Sequence, residues 1–190
     1  STLPSKLSEC VWLTNLNLSF NDICDLSPLS ALNSLLDLNV NYTQVEDLSS
    51  ISNLITLEIL YACKTQVSDL SPLSNLIALQ EIDVSYTHVS DLSPLLVFIK
   101  NGMRVVFKEV AFEVETNEIN VEGCPLTVPP IEVARQGNAA ILRYFEQLEK
   151  EGTDQIYEAK LLLIGEGGAG KTTLCRKLFD PKAELPKEKD

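Results

Sequence analysis

Leucines at positions 13, 35, 57 and 79 recur every 22 residues, and each opens the same string of apolar and polar positions. That string reads L-x-x-L-x-L-x-x-N/T-x-I/V. It runs through Leu13, Leu16, Leu18, Asn21 and Ile23, then through Leu35, Leu38, Val40, Thr43 and Val45. Leu57, Leu60, Ala62, Thr65 and Val67 follow, and then Leu79, Ile82, Val84, Thr87 and Val89. The x-L-x-L-x centre of each unit predicts a short strand whose leucines point inward while the x positions face out. The Asn or Thr behind it is placed to hydrogen-bond the backbone where the chain turns away. Next comes Asp-Leu-Ser-Pro/Ser-Leu/Ile-Ser-x-Leu, which supplies Leu26, Leu29 and Leu32 in the first unit. Its Ser-Pro pair favours a tight turn, so the return side is expected as a short 3₁₀ stretch. One unit alone cannot bury its leucines, whereas stacked units share a core.

These residues resemble the leucine-rich-repeat family, in its short class of about 22 residues with a 3₁₀ convex side. The resemblance implies a solenoid over residues 1–130 with parallel strands on its concave face. The outward strand positions are then Asn15, Asn17, Asp37, Asn39, Ile59, Tyr61, Glu81 and Asp83. That mixed row suits a protein partner or the chain's own downstream domains; a merely solvated face is the plain alternative. After Leu95 the register loosens. Residues 102–107, around Val105, look like a degenerate strand, and residues 119–126 like a last strand and turn. Cys124 stands where such a terminal unit usually has Asn, and its thiol can serve as a weak donor there. Pro129 and Pro130 stop the array. Beyond them Ala134, Ile141, Tyr144, Phe145 and Leu148 sit at helical spacing, predicting an amphipathic helix over 131–150 that caps the open end. The charged stretch 149–154 is the expected joint, and 151–158 the linker.

Charge sharpens the picture. Residues 1–130 hold 5 Lys/Arg against 16 Asp/Glu, nearly all of the chain's net charge of −12. An acidic solenoid repels nucleic acid and anionic membrane, and favours basic partners or simple solubility. No run approaches the ~18–20 apolar residues of a membrane span, and no secretory leader is visible. Cys10, Cys24, Cys63, Cys124 and Cys175 lack C-x-x-C spacing, and His88 stands alone, so no metal site is expected. Lone thiols fit a reducing, cytoplasmic setting.

The chemistry sits near the far end. Residues 160–164 form an apolar run that reads as a buried strand, and residues 174–179 read as a helix. Between them G-x-x-x-x-G-K-[ST] is met at every fixed position by Gly165, Gly170, Lys171 and Thr172. Strand, glycine turn and helix aim backbone N–H groups into one nest suited to phosphate oxygens. Gly165, Gly167, Gly168 and Gly170, with Ala169 between, let the backbone approach the phosphates closely. Lys171 supplies a point charge for the β- and γ-phosphates, and the Thr172 hydroxyl is placed to coordinate Mg²⁺, with Thr173 beside it. The fold class expected is therefore α/β: a repeat solenoid (1–130), a capping helix (131–150), a linker, and the start of a P-loop NTPase domain (159–190).

Taken in order, the solenoid, the segment 124–130, the stretch 136–145 and the glycine loop of 159–174 resemble bacterial and archaeal Roco proteins. In those proteins leucine-rich repeats precede a Ras-like Roc GTPase and a dimerising COR region. The resemblance implies GTP and GDP as ligands, Mg²⁺ bound through Thr172, a signalling role, and a homodimer formed through a region beyond this chain. The family's switch regions, its D-x-x-G and its guanine-reading N-K-x-D are not found in the sequence, which therefore carries no catalytic residues of its own. The chain is accordingly expected to be a piece of a longer protein: it starts without Met and stops about 20 residues past the loop, whereas such a domain needs roughly 150. Two other readings stand beside this one. One is a signal-transduction ATPase of the immune-receptor type, whose loop is nearly the same but whose repeats usually follow the nucleotide domain. The other is a pure protein-binding scaffold.

Overall fold

The computed structural model describes residues 2–109 and 115–151, within the first of two compact units, Ser1–Gly152. Each regular unit contributes one three-residue strand: β1 (Asn15–Asn17), β2 (Asp37–Asn39), β3 (Ile59–Tyr61) and β4 (Glu81–Asp83). All pair in parallel and in register, Leu16 beside Leu38, Leu60 and Ile82. Leu38, Leu60 and Ile82 are fully buried, as are Leu35 and Leu57 one turn earlier and Val40, Ala62 and Val84 two residues later. Burying each leucine stabilises the stack by about 1.5–3 kcal/mol. Leu13, Leu16 and Leu18 of the first unit are only half-buried, because they pack on the core from one side.

The predicted turns form as the residue types dictate. The Thr43, Thr65 and Thr87 hydroxyls donate to the Val40, Ala62 and Val84 carbonyls at 2.7, 2.8 and 2.6 Å. Asn21 Nδ2 reaches the Leu18 carbonyl at 3.1 Å. On the return side, 3₁₀ turns span Ser27–Leu29, Ser49–Ile51, Ser71–Leu73 and Ser93–Leu95. An aspartate starts each of them. Asp25, Asp47, Asp69 and Asp91 accept the backbone N–H of the serine two residues on, at 2.7–2.8 Å. The proline that follows in three of the four turns fixes φ where the turn begins.

The end of the stack departs from simple succession. A short helix α1 (Leu96–Lys100) extends the last return turn, and β5 (Arg104–Val106) and β6 (Glu118–Asn120) follow. The spatial order is β1-β2-β3-β4-β6-β5, so the later strand slots between β4 and the earlier one. The reason is visible in the side chains. Ile119, Val121 and Cys124 are buried in the positions that Ile82, Val84 and Thr87 hold one layer earlier. The true fifth unit is therefore β6. It trails β4 by 37 residues instead of 22, and the extra chain carries β5 to the outer edge. Cys124 does act as a donor, though toward the Val84 carbonyl of the preceding unit, at 3.0 Å.

The expected single helix over 131–150 is two helices, α2 (Ile131–Ala134) and α3 (Asn138–Glu151), and the second runs on to Glu151. Gly137 separates them at φ +90°, a conformation that glycine adopts without strain. Ala134, Ile141 and Phe145 are buried against the core, and Tyr144 and Leu148 are partly so. The cap works through one amide. Asn138 Nδ2 donates to the Met103 carbonyl at 2.7 Å, and its Oδ1 accepts the Val105 N–H at 3.1 Å. Both groups belong to the segment of strand β5, whose outer backbone has no further strand beside it among the described residues.

Candidate functional site

The predicted outward residues fall into two rows that cross the sheet. The first runs Asn15, Asp37, Ile59, Glu81, Glu118, Arg104, and the second Asn17, Asn39, Tyr61, Asp83, Asn120, Val106. Asn15 and Asn17 are exposed, and Asp37, Asn39, Ile59, Tyr61 and Glu81 are half-buried. Asp83 is the exception: it lies in the row but is fully buried. Its carboxylate accepts the Ser85 N–H and hydroxyl at 2.9 and 2.6 Å, so it is not part of the open face. Burial pushes this carboxyl above its ordinary range despite those bonds.

The second row has a structural duty that its exposure conceals. Asn17, Asn39 and Asp83 each accept the backbone N–H two residues on, at 2.9, 3.0 and 2.9 Å. Tyr61 cannot. Asn41 of the preceding unit takes over there and accepts the Cys63 N–H at 2.6 Å. Tyr61 is thereby released to donate its phenol to Glu81 at 2.6 Å, and desolvation first, then this bond, raises its pKa.

Four residues not expected from the sequence, Arg104, Lys108, Glu118 and Asn120, close the far end of the face. Glu118, 2% exposed, meets Arg104 Nη2 at 2.6 Å and Lys108 Nζ at 2.7 Å, and accepts the Glu115 N–H at 3.0 Å. Burial alone would raise its carboxyl, but these partners hold it below the ordinary range. Asn120 accepts the Lys108 N–H and donates to the Lys108 carbonyl, both at 3.0 Å. The segment around Lys108 therefore covers Asn120, and the open face ends at Glu81. Aligning Ile119 and Val121 with Ile82 and Val84 is the signal that would have found these positions.

A further row went unremarked although it obeys the same period. Phe20, Tyr42, Lys64 and Tyr86 stand 22 residues apart, three past each strand, and all take positive φ of 53–58°. Their N–H groups donate to Asn41, Cys63, Ser85 and Glu122 carbonyls, prolonging the parallel ladder beyond the strands. Phe20 and Tyr42 stack at 4.4 Å with planes 13° apart, close to the separation of about 4.8 Å between paired strands. Lys64 Nζ lies 4.9 Å from the Tyr42 ring centre and 5.3 Å from that of Tyr86. The Tyr86 ring in turn fills the space a side chain at Gly123 would need.

The remaining chemistry is sparse. Cys10, Cys24, Cys63 and Cys124 are free thiols, and burial pushes those of Cys63 and Cys124 up, away from reactivity. Among the described residues no cluster could hold a metal ion, and no helix is long and apolar enough to cross a membrane. Gly165, Gly167, Gly168, Ala169, Gly170, Lys171, Thr172 and Thr173 all lie outside the described residues.

The described residues form a solenoid of stacked leucine-rich repeats with an open polar face. No protein-family model matches the chain. Among solved structures, internalin C2 of Listeria monocytogenes is 37% identical, with a TM-score of 0.48 over 50% of this chain and 42% of that one. The functional domain of InlJ from the same organism, which includes a cysteine ladder, is 18% identical with a TM-score of 0.49, over 66% and 24%. Two curated relatives match short stretches. The probable serine/threonine-protein kinase pats1 of Dictyostelium discoideum is 38% identical over 65 residues, which is 34% of this chain and 2% of the relative. A Roc-COR-CHAT protease of an unknown prokaryotic organism is 42% identical over 43 residues, 23% and 4% respectively. The chain thus has distant, partial similarity to a Roc-containing protein, and its matches span 2% and 4% of these two relatives.

Proposed function

We propose that this chain joins the protein-docking arm of a cytoplasmic Roco-type signalling protein to the phosphate-binding loop of its GTPase domain. The docking half rests on one observation: Asn15, Asp37, Ile59 and Glu81 stand in strict register across four parallel strands and form a continuous open row. The nucleotide half rests on the glycine loop and on the partial likeness to Roc-containing proteins. In that role Gly165, Gly167, Gly168, Ala169 and Gly170 cradle the phosphates of GTP or GDP with backbone N–H groups. Lys171 neutralises their charge, and the Thr172 hydroxyl ligates Mg²⁺, with Thr173 beside it in the nucleotide-binding loop. The donor set fits: it is oxygen for a hard cation, and a lysine with amides for an anion. The four cysteines among the described residues are free thiols, which suits the reducing compartment proposed.

The test is a titration of the intact protein with fluorescent GDP and ATP in the presence of Mg²⁺. Saturable GDP binding that Lys171→Ala removes is the expected result. A preference for ATP hands the loop to the immune-receptor type of ATPase, and no affinity for either nucleotide leaves only the docking arm. The 190-residue chain itself should turn over no GTP, since its residues 174–190 carry neither D-x-x-G nor N-K-x-D. Turnover that Lys171→Ala abolishes would contradict this.

A further inference from the structure

The rim of Phe20, Tyr42, Lys64 and Tyr86 has a property that packing does not require. It is an exposed aromatic stack with a cation already seated in it. Phe20 is 66% exposed and Tyr86 37%. Lys64 faces both tyrosine rings within the distance at which an ammonium is attracted to a ring face. The chain uses the same chemistry again where the Arg135 guanidinium sits 4.4 Å from the Phe107 ring centre. The surroundings are acidic. Glu109 and Glu122 lie close enough to Tyr86 to act on its phenol, Asp22 follows Phe20 by two residues, and Asp37 and Glu81 stand in the strand row. Residues 1–130 carry 16 acidic side chains against 5 basic ones. A cation laid on these rings therefore meets opposite charge beside it.

We propose that this rim, together with the open strand row, docks an extended basic segment of a partner protein, whose arginine and lysine heads lie on the faces of Phe20, Tyr42 and Tyr86. Lys64 is the chain's own occupant of the slot between the two tyrosines, and an incoming cation competes with it. The inference rests on the reading of the strand row as a docking face, and names the chemistry of what docks there.

The experiment measures anisotropy of labelled deca-arginine, deca-glutamate and a mixed neutral decapeptide against the 190-residue chain. Circular dichroism confirms the fold of each variant. Deca-arginine should bind and deca-glutamate should not. Phe20→Ala with Tyr42→Ala changes no charge, so diffuse attraction to an acidic protein is unmoved by it, whereas ring docking weakens by about 5–10-fold. Lys64→Met and Lys100→Met remove the same charge, and only the first empties the slot. Lys64→Met should therefore tighten deca-arginine by a few-fold more than Lys100→Met does. Deca-arginine binding indifferent to the ring substitutions, or equal effects of the two lysine variants, overturns the rim proposal. A neutral peptide held by the strand row, lost on Ile59→Arg but not on ring removal, overturns it as well while sparing the docking face. If no member of a displayed library of random decapeptides binds the chain, both fall together.

Discussion

The strands β2 and β6 hold the same place in the repeat, yet water reaches them differently. In β2 the central Leu38 is buried while Asp37 and Asn39 remain partly open; in β6 Glu118, Ile119 and Asn120 are all buried. What separates them is an insertion. The chain between β4 and β6 runs 37 residues instead of 22 from one layer to the next, and lays Lys108 over the concave side. A solenoid's polar face is thus defined by what fails to stack on it. Once covered, a polar strand position becomes a core position and needs partners of its own. Glu118 has them in Arg104 and Lys108, whereas Asp37 accepts a longer bond, 3.4 Å, from Asn15 Nδ2.

The comparison breaks first in the apolar positions, where the regular stack is strongest. Leu60 is fully buried between two layers, and Leu60→Ala should cost about 2–5 kcal/mol through lost burial and the cavity left behind. Leu16 holds the equivalent position in the half-buried first unit, so Leu16→Ala should cost distinctly less. Urea unfolding of the two variants measures the gap. Equal losses would mean that layers stabilise themselves and not one another, contrary to the shared core.

Most of this regular half was legible in the chain. A period of 22 fixes which side chain points inward, and Thr43, Thr65 and Thr87 bond the carbonyls that their spacing suggested. The exchange of β5 and β6 was not legible from adjacency, because sequence order does not say which strand a layer will accept. The matched quartets Ile82, Val84, Thr87, Val89 and Ile119, Val121, Cys124, Leu126 hold the answer, but only once 15 or so intervening residues are treated as an insertion. Burial of Asp83 follows from the same event and was hidden with it. The rim at Phe20, Tyr42, Lys64 and Tyr86 was within reach, at an x position inside the repeat string, directly before its Asn or Thr. The glycine loop stands on its motif alone, since residues 152–190 fall outside the described part.

An intermediate effect separates Glu118 from Asp37. Glu118→Ala leaves Arg104 and Lys108 without their carboxylate and should cost about 1–3 kcal/mol, discounted from a fully buried pair because both cations reach water. Asp37→Ala should stay within about 0.5 kcal/mol. The pH dependence carries the sign. The folded Glu118 carboxyl is held below its ordinary value, so its stabilisation is present above the unfolded pKa and is lost as pH falls through the folded one. Thermal unfolding between about pH 6 and 3 should therefore flatten in Glu118→Gln relative to the unaltered chain. A slope unchanged by Glu118→Gln would show that its partners do not favour the charged form.

The smallest effect is also opposite in sign. Asn17, Asn39 and Asn120 accept the N–H two residues on, and Asp83 does the same in their place. An amide oxygen serves that bond without bringing a charge into the covered layer. Burial raises the folded Asp83 carboxyl, so the protonated form stabilises the fold below the unfolded pKa, and that contribution is lost as pH rises through the folded value. Asp83→Asn should then match the unaltered chain in acid and exceed it near neutrality, by about 0.5–1 kcal/mol, as a substitution toward the repeat's own residue. The Ser85 hydroxyl donates to the same oxygen in either case, so the bond count at that atom is kept. Paired thermal melts at pH 3 and pH 7 read the difference directly. A loss at pH 7 would mean that the strengthened bonds from Ser85 to a charged acceptor outweigh desolvation, and that covering a polar position does not by itself favour its neutral form.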